Sequence, residues 1–578
     1  MTEGPVLGIV DGITDAGACL FADDRLLAAV NEERLTRVKL EGGFPARSVA
    51  EVLRIGGVAP RDVARIAIGG IATPSLPTRL FRGLQRRLSG TAGIIFDRPR
   101  SPLHILSDLV RYRVRVTTNR GTDSRLGRLE GRLARRVLAR EAGLDAPVEL
   151  VEHHRAHAAC AFFASPFERA LVLTADSLGD GLSLTVSRGE GRDLTRLFAA
   201  DAFASFGTFY ALVTRFLGFR PYHEEGKVLA LSAEGDAARI PVPFPLRLEG
   251  ERVVYDGEWG LRAWPWLERL RGHDRKDIAA WLQRGTEEGI AGIAARFVER
   301  TGEKDLCVAG GLFANVRLNL RLLETPGVDR LFVFPHMGDG GLAVGAALAH
   351  LAPEGFRLPP PFLGPGFSDA ECAEALGDLP FTRPHDAAAE AARLLSEGAV
   401  VARFDGRMEF GPRALGNRSV LAEARDPSAR TMLNRCLDRT EFMPFAPVIL
   451  AEAAEGRVRD LARARECARH MTMAFRTRPA LLAEAPGAVH VDGTARCQVA
   501  TREEHRGLHT LLTAYAAITG RSTLINTSFN RHGEPIVCTP RDAVRTFRES
   551  GIDALLLGPF LAVVTRVANR HAAAGIAR

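Results

Sequence analysis

No pair of cysteines in CxxC spacing, no run of about eighteen apolar residues and no short tandem repeat occurs in this chain of 578 residues. Without a CxxC pair, the eight cysteines (Cys19, Cys160, Cys307, Cys372, Cys436, Cys467, Cys497 and Cys538) are most simply buried thiols in a reducing cytoplasm. Without a long apolar run there is no spanning helix, and without a repeat no solenoid. The opening Met1-Thr2-Glu3-Gly4-Pro5 lacks the basic and apolar character of a secretion signal. A cytoplasmic protein with no membrane partner is expected. What is present is ordinary globular composition, 46% hydrophobic and 25% charged. The length exceeds what one core can serve, so two or more domains are expected.

The net charge of +7 is unevenly spread. From Arg79 to Arg140, sixteen arginines and no lysine stand against four acids, a local balance of +12. Such a segment can mark nucleic acid or an acidic partner. Its aromatics are few (Phe81, Phe96 and Tyr112) and it has no RNA-binding motif, so it reads as the solvated face of a basic helical insertion. Nucleic acid is not an expected partner.

Glu152-His153-His154-Arg155-Ala156-His157, followed by small apolar residues, predicts a helix. At 3.6 residues per turn, His153 and His157 then share one face. An apolar strand from Ala170 delivers Asp176 ahead of the turn Ser177-Leu178-Gly179-Asp180-Gly181, and a second, Arg330 to Pro335, leads to Gly338-Asp339-Gly340-Gly341. A histidine pair alone can be merely solvated, and Asp before Gly is ordinary turn chemistry. Together, two imidazoles and two carboxylates favour a borderline divalent ion such as iron(II), manganese or zinc.

Elsewhere in the first half, Val6–Val10, Asp11-Gly12, Asp15 and Ala18–Phe21 read as a hairpin with an acidic turn, the way actin-like ATPase domains begin. The charged run Asn31 to Lys39 reads as wet surface. Lys227, beside Gly226 at the opening of an apolar stretch, either meets a phosphate or simply starts a helix. Gly310-Gly311, between a strand and a helix bearing Asn315, would let backbone amides approach a nucleotide. Recurring strand–turn–strand and strand–Gly–helix elements suggest two related α/β lobes. Five prolines between Pro353 and Pro365 break the pattern and place a domain boundary near residue 360.

Four stretches follow in the second half: Arg407–Ser419 with Arg413 and Arg418, Arg439–Pro447, His490–Arg496, and Leu524–Pro535 with Asn526, Ser528 and Asn530. Arginine with Asn, Ser and Gly at bends suits a compact pocket for phosphate or carboxylate, because the guanidinium fork binds such oxygens in pairs.

These motifs resemble the carbamoyltransferases of nodulation-factor and antibiotic biosynthesis, over essentially the whole chain and in order. The matches are the His153–His157 stretch, Glu225-Gly226-Lys227, Gly310-Gly311 with Asn315, Gly338-Asp339, Gly406–Ser419, Val491–Arg496 and Asn526–Pro535. The resemblance implies an α/β protein. Residues 1–358 would be an actin-like (threonylcarbamoyl-transferase-like) domain carrying the basic insertion 79–140, and residues 359–578 a YrdC-like domain. It implies ATP and carbamoyl phosphate as co-substrates, with carbamoyl-adenylate formed in the second domain. The carbamoyl group would then pass, in the first, to a hydroxyl of a small natural product or sugar. His153, His157, Asp176 and Asp339 match the family's iron ligands, and magnesium could accompany the nucleotide. Arg413, Arg418, Arg439, Arg496, Asn526, Ser528 and Asn530 would hold carbamoyl phosphate and adenylate, Arg496 and Ser528 in catalytic roles. Asp11, Lys227, Gly310, Gly311 and Asn315 would meet nucleotide, and a homodimer is plausible by the same resemblance.

Two positions depart from relatives. Thr14 stands where many have His, which leaves Asp15 as the substitute catalytic residue. Leu437 and Asp438 precede Arg439 where some offer Lys. Two other readings compete: a tRNA threonylcarbamoyl-modification enzyme, drawn from the basic segment, and a nucleotide-regulated actin-like binding protein.

Overall fold

The computed structural model describes residues 4–12, 14–71, 125–257, 263–426, 429–438 and 445–564, and structural statements below concern these. Most of the basic 79–140 segment lies outside them; its end forms a helix, Arg125–Ala142. The chain forms two compact α/β units. One comprises Met1–Thr36 with Leu40–Pro359, the other Arg37–Lys39 with Pro360–Arg578.

The first unit is built on two sheets of five strands. In one, β1 (Val6–Val10) pairs antiparallel with β2 (Gly17–Ala22), and β2 with β3 (Arg25–Asn31). On its other side β1 runs parallel to β4 (Arg65–Gly69), and β4 to β5 (Val148–Val151). In the second sheet β6 (Arg169–Gly179), β7 (Leu182–Glu190) and β8 (Asp193–Asp201) form the antiparallel side. A hairpin, β9 (Leu246–Glu249) and β10 (Arg252–Tyr255), intervenes in sequence. Then β11 (Asp305–Ala309) and β12 (Arg330–Val333) complete the parallel side. The two sheets therefore share one order and one set of orientations, the duplication expected of two related lobes.

Strand β1 is buried along its whole length because helices cover both faces, which explains its unbroken apolar run. The covering is crossed. The His153–Phe163 helix follows β5 but packs on β6 and β11, while the Leu342–Leu351 helix follows β12 but packs on β1 and β4. The two helices also pack on each other. A Cβ at Gly345 would lie 2.1 Å from the Ala156 carbonyl oxygen, so only glycine permits that approach.

The second unit has a mixed seven-stranded sheet: β13 (Val401–Phe404), β14 (Arg418–Glu423), β15 (Ala446–Leu450), β18 (Gln498–Ala500), β19 (Thr523–Ser528), β20 (Ala554–Leu557) and β21 (Phe560–Val563). Its order is β18-β15-β19-β14-β13-β20-β21; a small pair, β16 (Phe475–Arg476) and β17 (Thr494–Ala495), stands apart. Helices Ala387–Ser396 and Arg506–Thr519 cover it with Leu394, Leu395, Leu508, Leu511 and Leu512.

The run Asn31 to Lys39, expected as wet surface, needs correction over its first residues. Glu32, Glu33 and Arg34 are buried. Glu32 accepts from the Ser48 amide and hydroxyl at 2.7 Å each, and Glu33 accepts from the Leu40 amide and pairs with Arg34. Such partners are what allow charges to be buried. No helix among the described residues is long and apolar enough to cross a membrane.

Candidate functional site

The first unit gathers two histidines and two aspartates. Glu152 caps the His153–Phe163 helix, accepting from the amides of His154 and Arg155, so the helix starts at His153 and both rings leave one face. The ring centroids of His153 and His157 are 4.7 Å apart. Asp180 accepts from the His153 amide at 2.9 Å and the Ile71 amide at 2.8 Å, tying the helix start to neighbouring strands. A Cβ at Gly179 would lie 2.0 Å from His153 Cδ2, so the ring rests against bare backbone.

Asp176 lies within β6 rather than after it. The ladder to β7 slips between Ala175 and Gly179, an irregularity of the kind that re-aims side chains. The Gly311 amide donates to Asp176 Oδ2 at 3.1 Å, and the Ser177 amide to Oδ1. Asp339 opens the short turn after β12.

His157 Nε2 lies 3.2 Å from Asp176 Oδ2 and 3.5 Å from Asp339 Oδ1; His153 Nε2 is 3.6 Å from each. The four donor atoms fall within 4.8 Å of one another. His153 Nε2, His157 Nε2 and Asp339 Oδ1 are buried and make no hydrogen bond. Buried polar atoms without partners are rare, and a cation held by all four would satisfy them at once. The field also favours positive charge. Burial pulls His153 down, yet Asp339 and Asp176 outweigh it and raise the ring to about 9. Asp176 stays well below the carboxylate range, against its burial, through the two rings. Asp339 is pushed up by burial and by Asp176. His154, the third histidine, faces Thr174 instead, 2.8 Å away.

Among the other predicted residues, Asp15 has its carboxyl raised to about 8 by burial, then by Glu33 and Asp339. Asp11 is buried directly after β1. Gly310, at φ 114, sits against Ala175, and Gly311 serves Asp176, so both lie beside the four donors. Lys227 is paired with Glu224 at 2.6 Å. Asn315 caps the Val316–Leu323 helix and bonds to Gln283. Sequence reasoning missed Tyr222, in left-handed backbone (φ 62), whose hydroxyl is pushed up by burial, opposed by Ser177, and raised further by Glu225, Asp176 and Asp339. Its signal was Pro221-Tyr222-His223, just before the Lys227 stretch.

In the second unit, Arg413 lies within the field of Arg496. Burial and then the Arg496 charge push Arg413 well below the usual guanidinium range; burial alone brings Arg496 to about 10. Arg418 is set apart. It is fully buried, stacked 3.6 Å over Phe404, and donates to the carbonyls of Asp405, Asn417, Gly406 and Pro365. Asn526 donates to Ala414 O at 3.0 Å and Gln498 Oε1 at 2.6 Å, and Gln498 to Leu415 O, so both brace the arginine loop. Asn530 ties its own turn through Arg531 O and Glu534 O. Ser528 ends β19, opposite Ser419. Arg439 lies outside the described residues; Asp438 pairs with Arg531 at 2.7 Å. A residue missed in the sequence is Glu409. Its buried Oε1 accepts from the amides of Leu415 (2.8 Å), Asn417 (2.8 Å) and Arg418 (3.0 Å), closing the loop that carries Arg413.

Fold and site together define an α/β enzyme with a divalent-cation donor set in one unit and an arginine pair in the other. Comparison with known proteins narrows this. The family described as Carbamoyltransferase N-terminus matches residues 105–242 and 265–348, and Carbamoyltransferase C-terminus matches 392–563. Nodulation protein NolNO of Sinorhizobium fredii is 33% identical over 574 residues, 95% of this chain and 78% of that protein. Nodulation protein NolO of Bradyrhizobium diazoefficiens is 34% identical over 436 residues, 71% of this chain and 78% of that one. The chain belongs to the carbamoyltransferase family and is a carbamoyltransferase enzyme. A solved structure of full-length HypF, 13% identical, covers 60% of this chain and 46% of its own at a TM-score of 0.35, too low to bear on fold or function.

Proposed function

We propose that the chain is an ATP-dependent O-carbamoyltransferase acting on a hydroxyl of a small natural product or sugar. In this reading the second unit is YrdC-like. Water releases phosphate from carbamoyl phosphate there, and the carbamate oxygen attacks the α-phosphate of ATP. Pyrophosphate leaves and carbamoyl-adenylate remains. In the first, actin-like unit the acceptor hydroxyl attacks the carbamoyl carbon, and AMP departs.

The observation that carries the reading is the carbamoyltransferase family match in both units, and Arg413 and Arg496 supply the local chemistry. Two guanidinium groups pushed below their usual range by burial, one of them further by the other's charge, are both favoured in their charged form by an approaching anion. A phosphate monoester brings about −1.5 to −2 charges and oxygens suited to the guanidinium fork. Glu409, Gln498 and Asn526 hold the loop that aims Arg413, and Arg418 supports it from beneath. A divalent ion, iron(II) by the resemblance, fits His153, His157, Asp176 and Asp339 and would supply Lewis acidity at the acyl group. Asp15, beside Glu33 and Asp339, takes the acceptor proton in this assignment. Lys227 would exchange Glu224 for a nucleotide phosphate.

The test is pyrophosphate release by the iron(II)-loaded protein with ATP and carbamoyl phosphate, each omitted in turn. Release is expected only when both are present, and Arg496→Ala should slow it about 10–100-fold, the loss of one charge-assisted hydrogen-bonding group. Wild-type protein that binds iron and releases no pyrophosphate would sink the proposal.

A further inference from the structure

The second unit holds another cluster that the carbamoyl chemistry does not use. Glu466 and His470 are four residues apart, the second residue and the C-cap of the short helix Arg465–Arg469, so both side chains leave one face. Glu504 reaches them from the segment that precedes the Arg506–Thr519 helix. One donor atom from each of the three lies within 4.8 Å of the others.

Two features separate this cluster from an ordinary acidic patch. First, His470 is 4% exposed, and neither of its ring nitrogens has a hydrogen-bond partner. A neutral imidazole offers one donor and one acceptor, and leaving both buried and unused costs about 1–3 kcal/mol for each. Second, Glu504 Oε2 is likewise buried without a hydrogen bond and stands 4.0 Å from His470 Nε2. That gap is too long for a hydrogen bond. It suits two ligands on one ion, since metal bonds of about 2.0–2.2 Å place ligand atoms about 3–4 Å apart. Arg469 donates to Glu466 at 3.1 Å and to Glu504 Oε1 at 3.2 Å, holding the two carboxylates together while leaving Glu504 Oε2 open.

We propose that Glu466, His470 and Glu504 form a second divalent-cation site, distinct from the four-donor cluster of the first unit. One imidazole and two carboxylates suit zinc or manganese, and three protein ligands leave a position for water. The ion ties the Arg465–His470 turn to the Thr501–His505 segment. Met471, next to His470, packs with Leu415 and Ala446, so the ion braces the layer under the loop that carries Arg413.

Equilibrium dialysis of the metal-free full chain against zinc tests this. A His153→Ala/His157→Ala protein, its first cluster dismantled, should still take up one equivalent, and adding His470→Ala should weaken that uptake more than about 10-fold. Glu504→Gln, a milder change, should do the same in the otherwise wild-type chain, removing one of two equivalents and the accompanying zinc-induced rise in melting temperature. A double variant that is folded by circular dichroism and takes up no zinc overturns the proposal. So does zinc uptake unchanged by both His470→Ala and Glu504→Gln.

Discussion

Replacing Glu409 by alanine should destabilise the second unit more than any exposed substitution could. Glu409 is 4% exposed, and one of its oxygens accepts three backbone amides, those of Leu415, Asn417 and Arg418. Truncation orphans all three, at about 1–3 kcal/mol each when no partner replaces the acceptor. Relaxation and entering water recover part, leaving about 3–4 kcal/mol. Glu409 also offsets the fully buried Arg418 cation, which burial brings down to about 10. In a unit of this size 1 kcal/mol moves the melting temperature by about 2–4 °C, so the fall should be about 10 °C. Glu409→Gln keeps an oxygen at the same reach but loses the charge that roughly doubles such bonds, and should fall in between. Calorimetry of both variants is the assay. An alanine variant that melts with wild type, or a glutamine variant that melts below the alanine one, refutes the reasoning.

Two further outcomes concern the first unit. Gly179→Ala must push the His153 ring, since the new Cβ would lie 2.0 Å from it; metal affinity measured by dialysis should drop about 10–100-fold with the fold intact, and unchanged affinity would show that this contact does not position the ring. Glu149 is held below its ordinary 4.5 by a hydrogen bond from His350 at 2.7 Å. Its folded value being depressed, the stabilisation is full above about pH 4.5 and is lost as pH falls through the folded value. Half exposure limits it to less than about 1 kcal/mol. Glu149→Gln should therefore lower the melting temperature slightly at pH 7 and leave it unchanged near pH 2; an equal loss at both would contradict the linkage.

The donor set of the first unit was legible because local rules suffice. The helical period puts His153 and His157 on one face whatever surrounds them, and Gly-rich strand ends mark Asp176 and Asp339. The arginine stretches of the second unit were legible as a group but not in their division of labour. That Arg413 feels the charge of Arg496 while Arg418 turns inward to four carbonyls depends on which loops close beneath it, a matter of residues far apart in the chain. Glu32–Arg34 misled for the same reason: Leu40 and Ser48, which make their burial tolerable, belong to a later turn and to the helix Ala46–Gly56. Glu409 carries no local signature, since any acid near a Gly-Pro bend looks alike until its amides are located. Nor does periodicity tell which sheet a helix will cover.

The crossed helices of the first unit make its two lobes interdependent. Each lobe lends the other the helix that seals its sheet, so either lobe standing alone would keep an apolar face open to solvent. The histidines and Asp339 sit at corresponding places in the two repeats, on or just before the exchanged helix. The donors therefore converge where the two exchanged helices begin, so the site depends on both lobes being sealed at once.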